Sequence, residues 1–154
     1  MSCCRSDPVP VSLAALDAQE ELFAGAFASG DISMARSLYA TDVVYLSPTT
    51  RLFDWPARIV GVEQTLEFIQ LTITGLSNIT YGVDERAIIP GPAETVGDAG
   101  DARSAYVRVR FDFDMNGTRL RSTYVVVYRY RDGRIAQQEL YYDPSAELDR
   151  LPSS

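Results

Sequence analysis

Residues 105–130 read AYVRVRFDFDMNGTRLRSTYVVVYRY, two alternating runs on either side of Asn116-Gly117. Apolar and charged residues alternate with a period of two, which marks strands buried on one face only. Asn-Gly suits a two-residue hairpin turn because both central positions take positive φ, a conformation that asparagine and glycine tolerate. Counting outward from that turn puts Met115 opposite Thr118, Asp114 opposite Arg119 and Asp112 opposite Arg121. The same count sets Phe113 against Leu120, Phe111 against Ser122 and Val109 against Tyr124. Opposite charges therefore meet on one face, and a slip of one residue would destroy both matches. Val107, Val109, Phe111, Phe113, Ser122, Tyr124, Val126 and Tyr128 share the buried face. Arg108, Arg110, Asp112 and Asp114 share the outer one, which reads as a solvated or interfacial surface rather than an active site.

A third strand, Arg134 to Tyr142, follows the turn Arg131-Asp132-Gly133, whose parity decides whether Gln138 or Glu139 is buried. The expected form is a three-residue turn with a left-handed Gly133 and a bulge, pointing Gln138, Leu140 and Tyr142 inward. Burying Leu140 is favourable by roughly 2 kcal/mol, whereas burying an unpaired glutamate costs more. Between Glu94 and Arg103, two glycines among acids and alanines predict a mobile hairpin loop. Upstream, Ile79, Tyr81, Val83, Ile88 and Ile89 lie in short strand-like runs ended by Pro90. Asp143 caps a terminal helical turn that begins with Pro144.

The first half has helical spacing. Leu13, Leu16, Leu22, Phe23, Ala26 and Phe27 recur along a helix from Ser12 to Ala28, with Asp17, Gln19, Glu20 and Glu21 between them. Gly30 stops it, and Asp31 caps a second short helix that runs to Tyr39. Val43 to Ser47 is strand-like, Thr49 to Arg58 a polar loop, and Val62 to Thr72 a third helix. Three helices followed by a strand-rich half predict an α+β fold, with residues 12–151 as one domain behind a flexible tail, 1–11.

Composition narrows the chemistry. The chain has 154 residues, 46% of them apolar, and a formal net charge of -7. That acidity argues against nucleic acid and anionic membrane surfaces as partners. The sequence contains no histidine, which removes histidine-based acid/base catalysis, serine–histidine triads and most zinc sites. Cys3 and Cys4 stand adjacent in the tail and read as inert, so neither metal nor cofactor is expected. The N-terminus lacks the apolar run of a signal peptide and no span approaches the ~20 apolar residues of a membrane helix, so a cytoplasmic location is expected. Two glycosylation sequons, at Asn78 and Asn116, have no consequence without secretion.

Several pieces in order carry a family resemblance: Gly30-Asp31, Leu38-Tyr39-Ala40, Asp42 to Pro48, Gly61 to Phe68, Asp132-Gly133-Arg134-Ile135 and Tyr141-Tyr142-Asp143. In this order the chain resembles the SnoaL-like branch of the nuclear-transport-factor-2-like superfamily. The resemblance implies a cone of helices against a strongly curved antiparallel sheet, an enclosed pocket for a small apolar molecule, and a homodimer through the sheet's outer face. Val125 and Val127, placed outside by the register, fit that interface. The catalytic positions of the ketosteroid-isomerase branch look like Phe23, Ser47 and Val126 here, so all three of its functional groups are missing. The penultimate-strand acid of polyketide cyclases also falls near Val126. Limonene epoxide hydrolase resembles the chain at Tyr45 and Ser47, its water-holding pair, but its last-strand aspartate aligns with Leu140. Its Arg-x-Asp lies near Arg108-Val109-Arg110.

Within this frame Asp54, beside Trp55 at the expected pocket mouth, is the candidate acid/base, because partial burial against an aromatic ring raises a carboxyl pKa. Tyr45 and Tyr124 are the candidate oxygen-directed donors. Phe23, Phe27, Ser47, Trp55, Val109 and Phe111 are expected around the ligand. So are Phe113, Val126, Tyr128, Gln138, Leu140 and Tyr142. Two functions are compatible with this set. One is an enzyme acting on an apolar oxygenated metabolite, as a polyketide or terpenoid cyclase, isomerase, dehydratase or epoxide-opening catalyst. The other is a non-catalytic binding or dimerisation module with the same pocket, which requires only the cavity.

Overall fold

The computed structural model describes residues 12–89 and 103–143. The expected tail, the Glu94 to Arg103 loop up to residue 102, and the turn beyond Asp143 lie outside these residues. Helix α1, Leu13–Ser29, starts where the Ser12 side chain accepts a hydrogen bond from the Ala15 amide at 3.1 Å. It ends at Gly30, whose φ of 79° lets the backbone turn left-handed at little cost. A 3-10 helix, Ile32–Leu38, follows under an Asp31 cap, and α2 spans Val62–Gly75. These are the three expected helices. The polar loop after Ser47 also contains a 3-10 turn, Pro48–Phe53, and a short strand that pairs with the first.

Six strands form one sheet: β1, Tyr39–Leu46; β2, Arg58–Val60; β3, Ser77–Ile89; β4, Arg103–Met115; β5, Thr118–Arg131; and β6, Arg134–Tyr142. Their order is β2-β1-β6-β5-β4-β3. All neighbours are antiparallel except β1 and β6, which pair in parallel, so the sheet is mixed rather than wholly antiparallel. The punctuated runs expected upstream of Pro90 are one strand, β3, with register shifts between Ser77 and Thr80 and between Val83 and Glu85. Such irregularities bend and twist a strand, which curves the sheet around the helices.

The central hairpin has the register read from the sequence. Met115 pairs with Thr118, Asp114 with Arg119, Asp112 with Arg121, Phe111 with Ser122 and Val109 with Tyr124. Asn116 and Gly117 have φ of 54° and 80°, as a two-residue turn of this kind needs. The Arg119 guanidinium reaches Asp114 at 3.2 Å on the outer face. The following hairpin differs from expectation. Arg131 pairs directly with Arg134, and both Asp132 and Gly133 have positive φ, so this turn has two residues rather than three. The parity is restored within β6. Tyr130 pairs with Ile135, but Arg129 pairs with Gln137, leaving Ala136 as an extra residue. This bulge turns Gln138 and Leu140 inward, and both are buried. Burial of Tyr130 and Ile135 on one side of the bulge and of Gln138 and Leu140 on the other requires it, because a regular strand would place one of the two pairs in solvent.

Candidate functional site: an aromatic cavity backed by a buried carboxyl

The concave face of the sheet and the inner faces of α1 and α2 line a partly open cavity of about 50 Å³. Helix α1 contributes Phe23 and Phe27; α2 contributes Phe68, Ile69 and Thr72; and Tyr45 comes from β1. The sheet completes the wall with Tyr81, Phe111, Tyr124, Val126, Tyr128, Gln138, Leu140 and Tyr142. Nine of the fifteen lining residues, Thr49 included, are aromatic, so the wall offers ring faces and edges far more than charge. The rings brace one another: Phe27 stacks on Tyr81 at 5.3 Å, and Tyr124 lies 5.1 Å from Tyr142 and 5.9 Å from Phe111.

Ten of the fifteen candidate site residues meet at this cavity: Phe23, Phe27, Tyr45, Phe111 and Tyr124, with Val126, Tyr128, Gln138, Leu140 and Tyr142. Five do not line it. Val109 is fully buried behind the wall, and Phe113 packs against Phe111 at 5.5 Å. Trp55 is half-buried against Phe68, with ring centres 5.4 Å apart. Ser47 is occupied as a cap: its hydroxyl accepts from the Thr49 amide at 3.2 Å and meets the Thr49 hydroxyl at 2.8 Å, so Thr49 stands at the wall instead. Asp54 is a correction. It is exposed, with a left-handed φ of 63° at the end of the 3-10 turn, where its amide closes that turn on Arg51. The turn draws the chain back to the surface, so Asp54 is exposed rather than buried against Trp55.

The acid near the cavity is Glu20, which its polarity alone sets on the wet side of α1. Its side chain is 4% exposed. The Tyr128 hydroxyl donates to Oε2 at 2.8 Å, the Gln19 amide donates to the same oxygen at 2.9 Å, and the Tyr81 hydroxyl donates to Oε1. Burial raises the Glu20 pKa above the usual glutamate value, against the lowering effect of these three donors. Gln19 in turn accepts from the Tyr130 hydroxyl at 2.8 Å. The signal lies in the spacing: Leu16, Gln19, Glu20, Phe23 and Ala26 share one stripe, and the polar pair falls on it where apolar residues are the rule.

Burial also pushes the phenols of Tyr39, Tyr45, Tyr81, Tyr124 and Tyr128 up, and that of Tyr142 to about 12. At ordinary pH these hydroxyls are hydrogen-bond donors, not phenolates. Tyr39 spends its proton on the Gln138 oxygen at 2.7 Å. Among the described residues the Tyr124 hydroxyl donates to no protein atom, and neither does the Gln138 amide nitrogen; both side chains belong to the cavity wall. No group of three or more histidine, cysteine, aspartate or glutamate side chains among the described residues has the arrangement to hold a metal ion. No helix there is long and apolar enough to cross a membrane.

Helices packed into a curved, unclosed six-stranded sheet around such a cavity define the NTF2-like cone fold. The chain belongs to the SnoaL-like family, whose domain model matches residues 20–138. Solved structures share the fold. An NTF2-like protein from Anabaena variabilis ATCC 29413 is 16% identical, with 88% of this chain and 91% of that chain covered at a TM-score of 0.67. A hypothetical protein with a ketosteroid isomerase-like fold from Catenulispora acidiphila DSM 44928, solved in complex with trimethylamine, is 18% identical, covering 88% and 94% at a TM-score of 0.63. An LEH-like epoxide hydrolase from M. tuberculosis is 17% identical, covering 86% and 85% at 0.58. Comparison with curated proteins finds no match. Members of the fold include polyketide cyclases, isomerases and epoxide hydrolases.

Proposed function

We propose that the chain binds a small, mainly apolar molecule carrying one polar group in the aromatic cavity, without metal or cofactor. The supporting observation is the wall itself: nine aromatic residues line the space, and the Tyr124 hydroxyl stands there with its proton uncommitted among the described residues. Size limits the ligand. One water needs roughly 10–15 Å³, so about 50 Å³ accepts about three to five non-hydrogen atoms. The polyketide or terpenoid expected from the sequence would place only a terminal group in that volume. In a thermal-shift titration, a short ketone or alcohol is expected to raise the melting temperature. Tyr124→Phe is expected to weaken its binding about three- to tenfold through loss of one hydrogen bond. Stabilisation by a whole terpenoid and not by the short ligands would overturn this size limit.

Catalysis is a second reading, favoured by Glu20. Among the described residues no carboxyl lines the cavity directly, but Tyr81 and Tyr128 both line it and both donate to Glu20, so a proton has a path between the cavity and a carboxyl. Such a path suits isomerase, dehydratase, cyclase or epoxide-opening chemistry.

The outer face supports pairing of two copies. Val125 and Val127 sit at its centre, and Tyr141 beside them is 56% exposed. A homodimer is expected by sedimentation at micromolar concentration, and Val125→Glu is expected to make it monomeric. A monomeric wild-type chain would remove this part of the proposal.

A further inference from the structure

Glu20 has a feature that the binding reading does not explain. Among the described residues the groups acting on it most strongly are the phenols of Tyr81 and Tyr128, the Gln19 amide and the carboxyl of Asp17, and none of these is a cation. A buried ionised carboxyl normally has a positive partner, since neutral donors offset only part of the cost of removing it from water. The Asp17 charge is taken by Arg86 on β3, at 2.7 Å, on the exposed side of α1. Among the described residues no arginine lines the cavity next to Glu20, and the chain contains no lysine. A cavity walled by rings and backed by an uncompensated carboxyl is electrostatically suited to a positive guest. Ring faces attract a cation, and desolvation strengthens that attraction.

We infer that the occupant of the cavity is a small alkylated ammonium ion, held by the aromatic rings of Phe27, Tyr81, Phe111 and Tyr124 and by the charge of Glu20 behind Tyr81 and Tyr128. The inference rests on the proposed binding function and names its ligand class. Methylated ammonium ions of about four or five non-hydrogen atoms match the volume. Their methyl groups satisfy the apolar wall, and their charge needs no hydrogen bond. An amino alcohol of the same class would also give the Tyr124 hydroxyl an oxygen partner. Burial raises the Glu20 pKa and a nearby cation lowers it, so entry of a permanent cation favours loss of the carboxyl proton. That proton leaves to solvent; no bond in the guest is made or broken. The groups that face Glu20 are Asp17 and Gln19 on α1, Tyr39 on β1, Tyr81 on β3, and Tyr124, Tyr128 and Tyr130 on β5; burial raises the pKa values of the phenols and of the Glu20 carboxyl, whereas that of Asp17 is lowered by Arg86.

The test is calorimetric titration of the full chain with tetramethylammonium and with tert-butanol, a neutral molecule of the same shape, each in two buffers of different ionisation enthalpy. Tetramethylammonium is expected to bind at least about tenfold more tightly than tert-butanol and to release protons on binding. Glu20→Gln is expected to reduce the preference below about threefold and to abolish the proton release. Equal affinity of the wild-type chain for the two probes would overturn the cation inference and leave the cavity reading standing. Binding of neither probe would overturn both. A preference that survives unchanged in Glu20→Gln would remove Glu20 from the recognition. The comparison of the two probes on the wild-type chain decides the charge question even if the variant fails to fold.

Discussion

Phe68→Ala is expected to lower the unfolding free energy by about 3–5 kcal/mol, because its ring anchors three others to α2. Phe68 is 2% exposed and lies where α2 meets the sheet. Its ring has Tyr45 at 5.8 Å, Phe53 at 5.7 Å and Trp55 at 5.4 Å, so removal strands all three aromatic partners at once. These partners come from β1, the 3-10 turn and the segment after it, and cannot collapse together without moving strand or turn backbone. For a chain of this length the loss corresponds to roughly 10 °C or more in melting temperature. The substitution also enlarges the cavity, because Phe68 forms part of its wall. A melt of the purified variant checks the value; a loss below about 1 kcal/mol would show that the aromatic cluster does not hold α2 to the sheet.

Glu20→Gln is expected to change the pH dependence of stability in a definite direction. The folded chain holds the Glu20 proton more tightly than the unfolded chain, whose carboxyl has the ordinary value of 4.5. Below that value both states are protonated and the group contributes no pH dependence. As the pH rises through it, the unfolded chain ionises first, so stability is lost until the raised folded pKa is passed. Glutamine is neutral throughout and removes this loss. At about pH 4 the variant is expected to be less stable by about 1 kcal/mol, since its amide fits three donors less well than the acid does. That deficit is expected to shrink or reverse towards pH 8. Asp17, Asp31, Glu63 and Asp114 have lowered pKa values through their partners and act in the opposite sense in both proteins, so the difference between the two curves isolates Glu20. Urea unfolding across that pH range gives the difference directly, and parallel curves would mean that burial does not perturb this carboxyl.

One expectation drawn from the sequence fails, and one buried acid goes unread, for related reasons. Polarity puts Gln19 and Glu20 on the wet face of α1, although their positions between Leu16 and Phe23 place them on the buried stripe. Polarity and periodicity disagree there, and periodicity prevails because Tyr81, Tyr128 and Tyr130 supply hydrogen bonds from strands far along the chain. An aromatic neighbour in sequence puts Asp54 in the pocket. The left-handed backbone at that residue turns its side chain to solvent, and loop conformations of this kind are not written in composition. The last strand gives the converse case. The cost of burying Glu139 correctly identifies its inward residues Gln138 and Leu140, but the device is a bulge at Ala136 and not the expected three-residue turn. Energy constrains which side chains are buried more tightly than it constrains how the backbone brings this about.

Local chemistry alone fixed the hairpin register, the helix boundaries at Ser12, Gly30 and Asp31, and the sidedness of β4 and β5, because each depends on residues a few positions apart. The parallel pairing of β1 with β6, the volume of the cavity and the partners of Glu20 were decided only in three dimensions. Each of those depends on contacts between segments up to about a hundred residues apart, such as Glu20 with Tyr128, and a period or a turn signal carries no information about how such distant segments meet.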